Sequence, residues 1–391
     1  MAATDDSRAG GPSRGGPLAA LTQAALALPI LLVAPRAGAA HVGEVGFATL
    51  GYKERGLMKV TEPLLWAKLQ LDDVWEFEAN GALDIVSGAS PELLTNLSGT
   101  PVQSITGASV HDRRTTTDLR AKRRFGDFSL SVNRTVSNEH DYHSHAYSVE
   151  GEVDLDQKRT TLAVGIGRSD DHVGSSLDPT LNAPRDTNEY LVGITQVLSP
   201  LAVVESTLTV ARGEGDYNDP YKSTLTFFPD AILPILMPDT RPGHRNELAW
   251  LTRYRRHFPR QEGTLQADYR YFRDDWGIRA HTLELAWEQQ LGERWSIRPA
   301  LRYYTQSAAD FYSPVVPRPR PQLLSSDQRL GAFGGLSPSL RVSLRLENGL
   351  TLEGTAGYVY DAASLRLGGS GSEAFSTLRA AYGIVSVSHP F

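Results

Sequence analysis

Val149-Glu150-Gly151-Glu152-Val153-Asp154-Leu155 runs into Asp156-Gln157-Lys158 and continues through Thr161-Leu162-Ala163-Val164-Gly165-Ile166. On both sides of the polar trio, apolar side chains return at every second position, the period of a β-strand, and the trio itself is a tight turn. The segment therefore reads as an antiparallel hairpin with one apolar face. Its other face carries Glu150, Glu152 and Asp154. The same alternation recurs in Phe128, Leu130 and Val132 against Ser129, Ser131 and Asn133, and in Ala267, Tyr269 and Tyr271 against Asp268 and Arg270. A soluble sandwich alternates in the same way. Length separates the two readings, because these strands run about ten residues or more, enough to cross a bilayer at a tilt, where soluble strands average about five or six.

Extending the pattern from residue 43 to the end predicts strands near 43–53, 60–71, 74–86, 112–124, 127–137, 144–155, 159–170, 187–198, 200–213, 243–257, 264–274, 278–291, 294–306, 326–347, 350–361 and 376–391. The long connections 87–111, 171–186, 214–242, 307–325 and 362–375 all follow odd-numbered strands. The tight ones at Leu71-Asp72-Asp73, Phe125-Gly126, Asp156 to Lys158, Ser199, Gly292-Glu293 and Asn348-Gly349 all follow even-numbered ones. That parity is what an up-and-down barrel with both termini in the periplasm, short periplasmic turns and long extracellular loops requires. Ser337-Pro338 looks like a turn, but breaking the chain there would give an odd number of strands. Gly334-Gly335 and Pro338 are therefore read as a bend or bulge inside one strand. The expectation is an all-β, antiparallel transmembrane barrel of sixteen strands, or fourteen with an irregular N-terminal hairpin.

The ends of the chain agree. Arg8 and Arg14 precede an apolar run from Leu18 to Ala34 that ends in Ala37-Gly38-Ala39, the order of a secretory signal peptide, so residues 1–39 are read as the signal and 40–391 as the barrel. Pro29, Thr22 and Gln23 interrupt the run, which argues against a membrane anchor. Val385 and Val387 alternate with Ser386 and Ser388 up to a terminal Phe391, resembling the signal by which outer-membrane barrels are handed to the barrel assembly machinery. The absence of Cys excludes disulfide frameworks, Cys-based zinc sites and thiol nucleophiles, and a net charge of −6 gives no basic footprint for nucleic acid. The expected location is the outer membrane of a Gram-negative bacterium, in contact with its lipid.

Five motifs stand out: Asp84-Ile-Val-Ser-Gly-Ala-Ser-Pro91, Asn138-Glu-His-Asp-Tyr-His-Ser144, Gly215-Asp-Tyr-Asn-Asp-Pro-Tyr-Lys222, Arg270-Tyr-Phe-Arg-Asp-Asp-Trp-Gly277 and Arg302-Tyr-Tyr-Thr-Gln-Ser-Ala-Ala-Asp-Phe-Tyr312. Together they resemble an uncharacterised outer-membrane β-barrel family, domain of unknown function 3570, over essentially the whole exported chain. Asp216-Tyr217 and His140 depart from the pattern of that family. The resemblance implies fold and compartment rather than an activity. It also implies periplasmic partners of an envelope electron-transfer system, namely a flavoprotein, a thioredoxin-like protein or a small lipoprotein.

Several residues are candidates for function. Arg253, Arg255, Arg270, Arg298 and Arg302 alternate to the same side as Glu247, Asp268, Glu284 and Glu288, and since a charge facing lipid at the midplane costs about 2–4 kcal/mol, this side is expected to line the lumen. Asp84, Ser87, Gly88 and Pro91 open the first long loop, which either folds into the lumen or is a plain turn of small residues. His140, Asp141, His143 and His145 form a metal candidate, with His143 and His145 on one side of a strand; the alternative is a solvated His/Asp loop. Asp216, Asn218 and Asp219 do not form a calcium loop, because the sixth position is Tyr221 and the twelfth Phe227. Asp219-Pro220-Tyr221-Lys222 instead reads as a pin for a long loop that also holds the apolar run Ile232 to Met237. Tyr269, Tyr271, Trp276, Trp287, Trp295, Tyr303 and Tyr304 resemble interfacial girdles.

No catalytic residue is expected. Gly368-Gly-Ser-Gly-Ser372 is not a nucleophile elbow, and His281 and Ser296 alternate to opposite faces. No cofactor is called for by the motifs. Two functions fit the sequence: a porin-like channel for small solutes or ions, and a barrel scaffold for envelope electron transfer with periplasmic partners.

Overall fold

The computed structural model describes residues 43–55, 57–71, 74–88, 91–95, 102–105, 110–226, 235–314, 319–373 and 375–391. The expected signal segment lies outside the described residues. The strands are β1 (Gly43–Glu54), β2 (Met58–Leu71), β3 (Trp75–Gly88), β4 (Pro91–Thr95), β5 (Val102–Ile105), β6 (Val110–Phe125), β7 (Phe128–Asn138), β8 (Tyr142–Leu155), β9 (Thr160–Val173), β10 (Ala183–Ser199), β11 (Ala202–Gly215), β12 (Ser223–Thr226), β13 (Ile235–Pro238), β14 (His244–Phe258), β15 (Gly263–Asp274), β16 (Arg279–Leu291), β17 (Trp295–Gln306), β18 (Phe333–Arg345), β19 (Thr351–Ala362) and β20 (Leu378–Pro390). Two short hairpins, β4–β5 and β12–β13, stand apart, and the other sixteen strands form one closed antiparallel barrel. Among the described residues no helix is long and apolar enough to cross a membrane.

Alternation decides which face goes where. Val45, Leu65, Leu119, Val164, Ile166, Val192, Leu285, Leu301, Leu340 and Val385 are all exposed and point away from the barrel axis. The opposite face carries carboxylates and guanidinium groups, many of them buried. An apolar band outside and a polar interior are the arrangement lipid imposes, because every backbone N–H and C=O is satisfied between strands and only side chains meet the bilayer.

The seam joins the first strand to the last, with Phe47 opposite Val387 and Tyr52 opposite Tyr382. Gly43 and Phe391 exchange both backbone hydrogen bonds at 2.9 Å, and the Phe391 ring lies over Gly43 where a Cβ would sit. Short turns close one end of the barrel, and the connections 89–109, 174–182, 216–243, 307–332 and 363–377 all rise from the other. By their length the latter mark the extracellular end.

The fourteenth predicted strand is shorter than expected. Asp327 accepts a hydrogen bond from the Arg329 backbone N–H and caps a 3₁₀ turn at Gln328–Leu330, so the stretch up to Ala332 belongs to an outer loop. Within β18 the ladder to β19 passes from Leu336↔Tyr360 to Ser339↔Gly357 without a change of register, so Pro338 makes a bend and not a bulge. Pro63 in β2 and Pro299 in β17 interrupt one ladder each in the same way. A missing N–H costs one rung, and strands this long keep their register without it.

Candidate functional site

Inward-facing ion pairs climb the wall of the barrel. Lys68 meets Glu78 at 3.5 Å, and the Arg114 Nε donates to Asp84 at 2.7 Å beside the buried Glu62. Lys122 reaches Glu152 at 2.5 Å, and Arg253 reaches Glu205 at 3.1 Å. Arg255 is paired with Asp268, Arg298 with Glu284 at 3.1 Å and Arg341 with Glu288 at 3.5 Å. Arg302 stands directly opposite Glu284 in register, and the Arg270 guanidinium lies 5.5 Å from the centre of the Phe272 ring. All nine charges expected on the lumen side, Glu247 beside Arg245 included, alternate inward in the strand register. Inside the wall they escape the cost of facing hydrocarbon, and cross-strand pairing offsets part of their lost hydration.

Near the tight turns Lys122, Glu152 and Glu205 of these pairs border a cavity of about 380 Å³ on β6 to β11. Gly126, Ser199 and Pro200 line it at the periplasmic end, and Leu191 and Thr207 at mid-barrel. Its charged lining is Lys122 and Arg124 against Asp127, Glu150, Glu152, Asp154 and Glu205. Glu205 is taken by Arg253 and the Glu152 Oε2 atom by Lys122 and Ser129, whereas Glu150 Oε2 and Glu152 Oε1 have no hydrogen-bond partner. The cavity is therefore acidic on balance.

The extracellular mouth is different. Tyr217, Trp276, Ile278, Phe311 and Leu330 pack together there, with Trp276 and Ile278 each 1% exposed. Trp276 meets Tyr217 and Phe311 edge-on at ring separations of 5.5 and 5.1 Å, and Arg245 from the wall lies 4.4 Å from its ring centre. The turn before Ile278 depends on Gly277, whose φ of +90° and close approach to the Asp310 carboxylate exclude a side chain.

Beside this apolar cluster is a buried ionic one. Arg241 donates to Asp239 at 2.7 Å and to Asp327 at 3.2 Å, Arg329 donates to Asp219 at 2.8 Å and is paired with Asp327, and Ser325 donates to Asp239 at 2.8 Å. The side chains of Arg241 and Asp239 are wholly buried. Burial alone would raise the Asp327 carboxyl, but Arg329, Lys222 and Arg241 hold it well below the usual carboxylate range. Burial lowers the Lys222 ammonium and raises Asp239, although Arg241 attracts the latter. These groups knit the 216–243 loop to the 307–332 loop, and paired backbone hydrogen bonds of 2.9 Å between Thr240 and Leu324 complete the join. Hairpin β12–β13 comes from the first of these loops, and β4, from the loop after β3, lies against β12. Three long loops thus form one cap.

Sequence reasoning found the pin at Asp219 to Lys222 but not its partners Asp239, Arg241, Asp327 and Arg329. Asp239 and Asp327 are 88 residues apart, and no spacing rule joins them. Asp84 sits within β3 as part of the wall, Ser87 and Gly88 pair with His111 and Val110 at the strand end, and Pro91 opens β4. His143 and His145 are exposed on the outward face, His143 bonded to Asn138, while Asp141 accepts a hydrogen bond from Tyr221 of the cap. Among the described residues no three His, Asp or Glu side chains gather as a metal site. Trp276 and Tyr304 depart from the girdle reading: Trp276 is in the cap, and Tyr304 alternates inward and bonds Gln306 at 2.5 Å. Ile235 and Leu236 of the apolar run are exposed, and residues 227–234 lie outside the described residues. His281 and Ser296 occupy opposite faces of the wall, the imidazole outward beside Tyr269.

A family model described as a protein of unknown function, DUF3570, matches residues 18–183 and 175–381. No curated protein matches the sequence. Among solved structures, the chain is similar to CdiB from Acinetobacter baumannii at 7% identity and a TM-score of 0.51, over 90% of this chain and 60% of that one. It also resembles a bacterial polysaccharide outer membrane secretin (8% identity, TM-score 0.49, 90% of this chain and 99% of that one) and the CymD monoaromatic hydrocarbon channel (9%, 0.43, 90% and 89%).

Proposed function

The chain belongs to the DUF3570 family and is an outer-membrane β-barrel of a Gram-negative bacterium, and from that premise we propose that it is a porin-like channel for small cations, closed at its outer mouth by the loop cap. The observation that carries this reading is the acidic cavity of about 380 Å³ at the periplasmic end, continuous with inward ion pairs along the wall. A cation leaving water for a narrow, low-dielectric passage needs fixed oxygen dipoles and carboxylates in place of its hydration shell. Glu150 and Asp154 supply them, and Glu150 keeps an oxygen that no protein donor occupies. Passage would further require the cap to loosen, which its loop construction permits without disturbing the strands.

Planar-bilayer recording tests the reading. Intact protein should give small, cation-selective conductance. The variant Arg241→Met, which opens the ionic cluster of the cap, should raise the conductance several-fold, and Glu150→Gln with Asp154→Asn should reduce cation selectivity. Replacing Arg270 or Arg302 should change single-channel conductance. A barrel silent with both intact and loosened caps would sink the proposal.

A second reading has one observation of its own: the cavity is lined by periplasmic turn residues while the other end is capped. It makes the barrel a scaffold for an envelope electron-transfer system, receiving a flavoprotein, thioredoxin-like protein or lipoprotein from the periplasm. Under that reading the protein stays electrically silent, and crosslinking at Asp127 or Ser199 captures such a partner.

A further inference from the structure

On the outward face, above the apolar band, the outer ends of β9 to β11 and β14 to β17 form a broad concave surface of about 1930 Å³. Arg212, Arg273, Arg279 and Arg366 line it, together with Tyr190, Tyr271 and Leu248. The register of the hairpin sets Arg273 directly opposite Arg279. Both are exposed, as is Arg212 on the far side of β14, and among the described residues none of the three makes a side-chain hydrogen bond or ion pair.

Nearby carboxylates do not serve them. Asp170 and Asp186 are held by Arg168 at 2.9 and 3.4 Å, and Asp275 is held by Asn246 at 2.6 Å. Among the described residues lining this surface, the carboxylates of Glu214 and Asp310 lack such a partner, against the three unpaired guanidinium groups of Arg212, Arg273 and Arg279, while Arg366 donates to the Ser370 carbonyl. Like charges directly opposite each other in a sheet destabilise it, so a facing Arg pair calls for an anion from outside the chain.

The location identifies that anion. Tyr271 precedes Arg273 by two residues on the same face, and Tyr190, about half exposed, lines the same surface from β10. Aromatic residues at this level mark the boundary of the hydrocarbon, so the guanidinium groups one step further out lie in the headgroup layer of the outer leaflet. One wall of the concavity is the 363–371 loop, which folds over the outer surface: the Tyr303 hydroxyl donates to the Leu365 carbonyl at 2.6 Å, and Leu367 N–H donates to the Thr305 hydroxyl at 3.0 Å. We infer that this surface binds a phosphorylated glycolipid of the outer leaflet, with Arg273 and Arg279 gripping one phosphate and Arg212 and Arg366 reaching further headgroup oxygens. Guanidinium is suited to the task because its planar fork meets two phosphate oxygens at once.

The test uses the full barrel in detergent micelles, with native mass spectrometry reading the retention of purified deep-rough lipopolysaccharide and of the same lipid after removal of its phosphates. The phosphorylated form should be retained at least about tenfold more strongly, a difference of about 1.4 kcal/mol. Arg273→Gln with Arg279→Gln should abolish most of that preference. Arg256→Gln, which removes an outward-facing Arg from the opposite end of the barrel, should leave it intact. Heat-modifiable gel migration verifies that each variant is folded, and the comparison of the two lipids on the unmodified protein needs no variant at all. Equal retention of both lipids, a preference that survives the double substitution or disappears equally in Arg256→Gln, or saturation by inorganic phosphate alone would overturn the assignment.

Discussion

Asp327 shows how much a single side chain carries in this molecule. Its carboxylate is shared by Arg241 and Arg329 in the interior of the cap, where an ion left alone keeps its desolvation penalty without its Coulombic return. Asp327→Asn should therefore destabilise the cap by about 3–5 kcal/mol while leaving the strands intact. Hydrogen exchange should register it as lost protection around 219–222 and 325–329 with unchanged protection in the wall. The same group sets a pH response. Because its folded pKa lies below the ordinary value of about 3.9, its contribution is complete above that value and is lost as the pH falls through the depressed one. Asp239, raised by burial, works in the opposite direction and narrows the effect. The cap should exchange as slowly at a pH of about 5 as at neutrality and open only in strongly acidic solution; opening that begins at mildly acidic pH would contradict this account.

At the scale of the strand, one rule does most of the sorting: whatever alternates outward must be compatible with hydrocarbon. Leu301 and Arg302 are neighbours in the middle of β17, yet Leu301 is 51% exposed toward lipid and Arg302 faces Glu284 inside. Leu301→Arg should lower the unfolding free energy of the barrel by about 2–4 kcal/mol in urea titrations from lipid vesicles. A substitution of similar size at inward-facing Ser296, near the periplasmic end, should cost much less. Tyr304 obeys the same rule, being inward by parity although its neighbour Tyr303 faces outward. Proline marks the limit of the rule, since Pro63, Pro299 and Pro338 each remove a rung without moving the register. A sequence in which Ser337-Pro338 looks like a turn is thus read correctly only when the parity of all the strands is required to close.

For the whole molecule, closure makes the barrel a single cooperative unit with no free edge, so it should migrate faster on a gel before boiling than after, and truncating the seam strand at Phe391 should remove that difference. Period-two alternation, strand length and the parity of long and short connections determined the sixteen strands, their order and the polarity of each face from sequence alone. These are local or counting properties, because each side chain's direction follows from its neighbours along the chain and each strand's partner from the turn that precedes it. The same logic identified Arg253, Arg255, Asp268, Arg270, Glu284, Glu288, Arg298 and Arg302 as one inward set. It did not reveal the cap, the acidic cavity or the Arg273–Arg279 pair. Those arise where loops fold back on one another, as Asp239 meets Ser325 at a separation of 86 residues, or where register aligns two strands residue by residue. Contacts between segments distant in sequence leave no periodic trace in the chain, and only the closed tertiary structure decides which of them form.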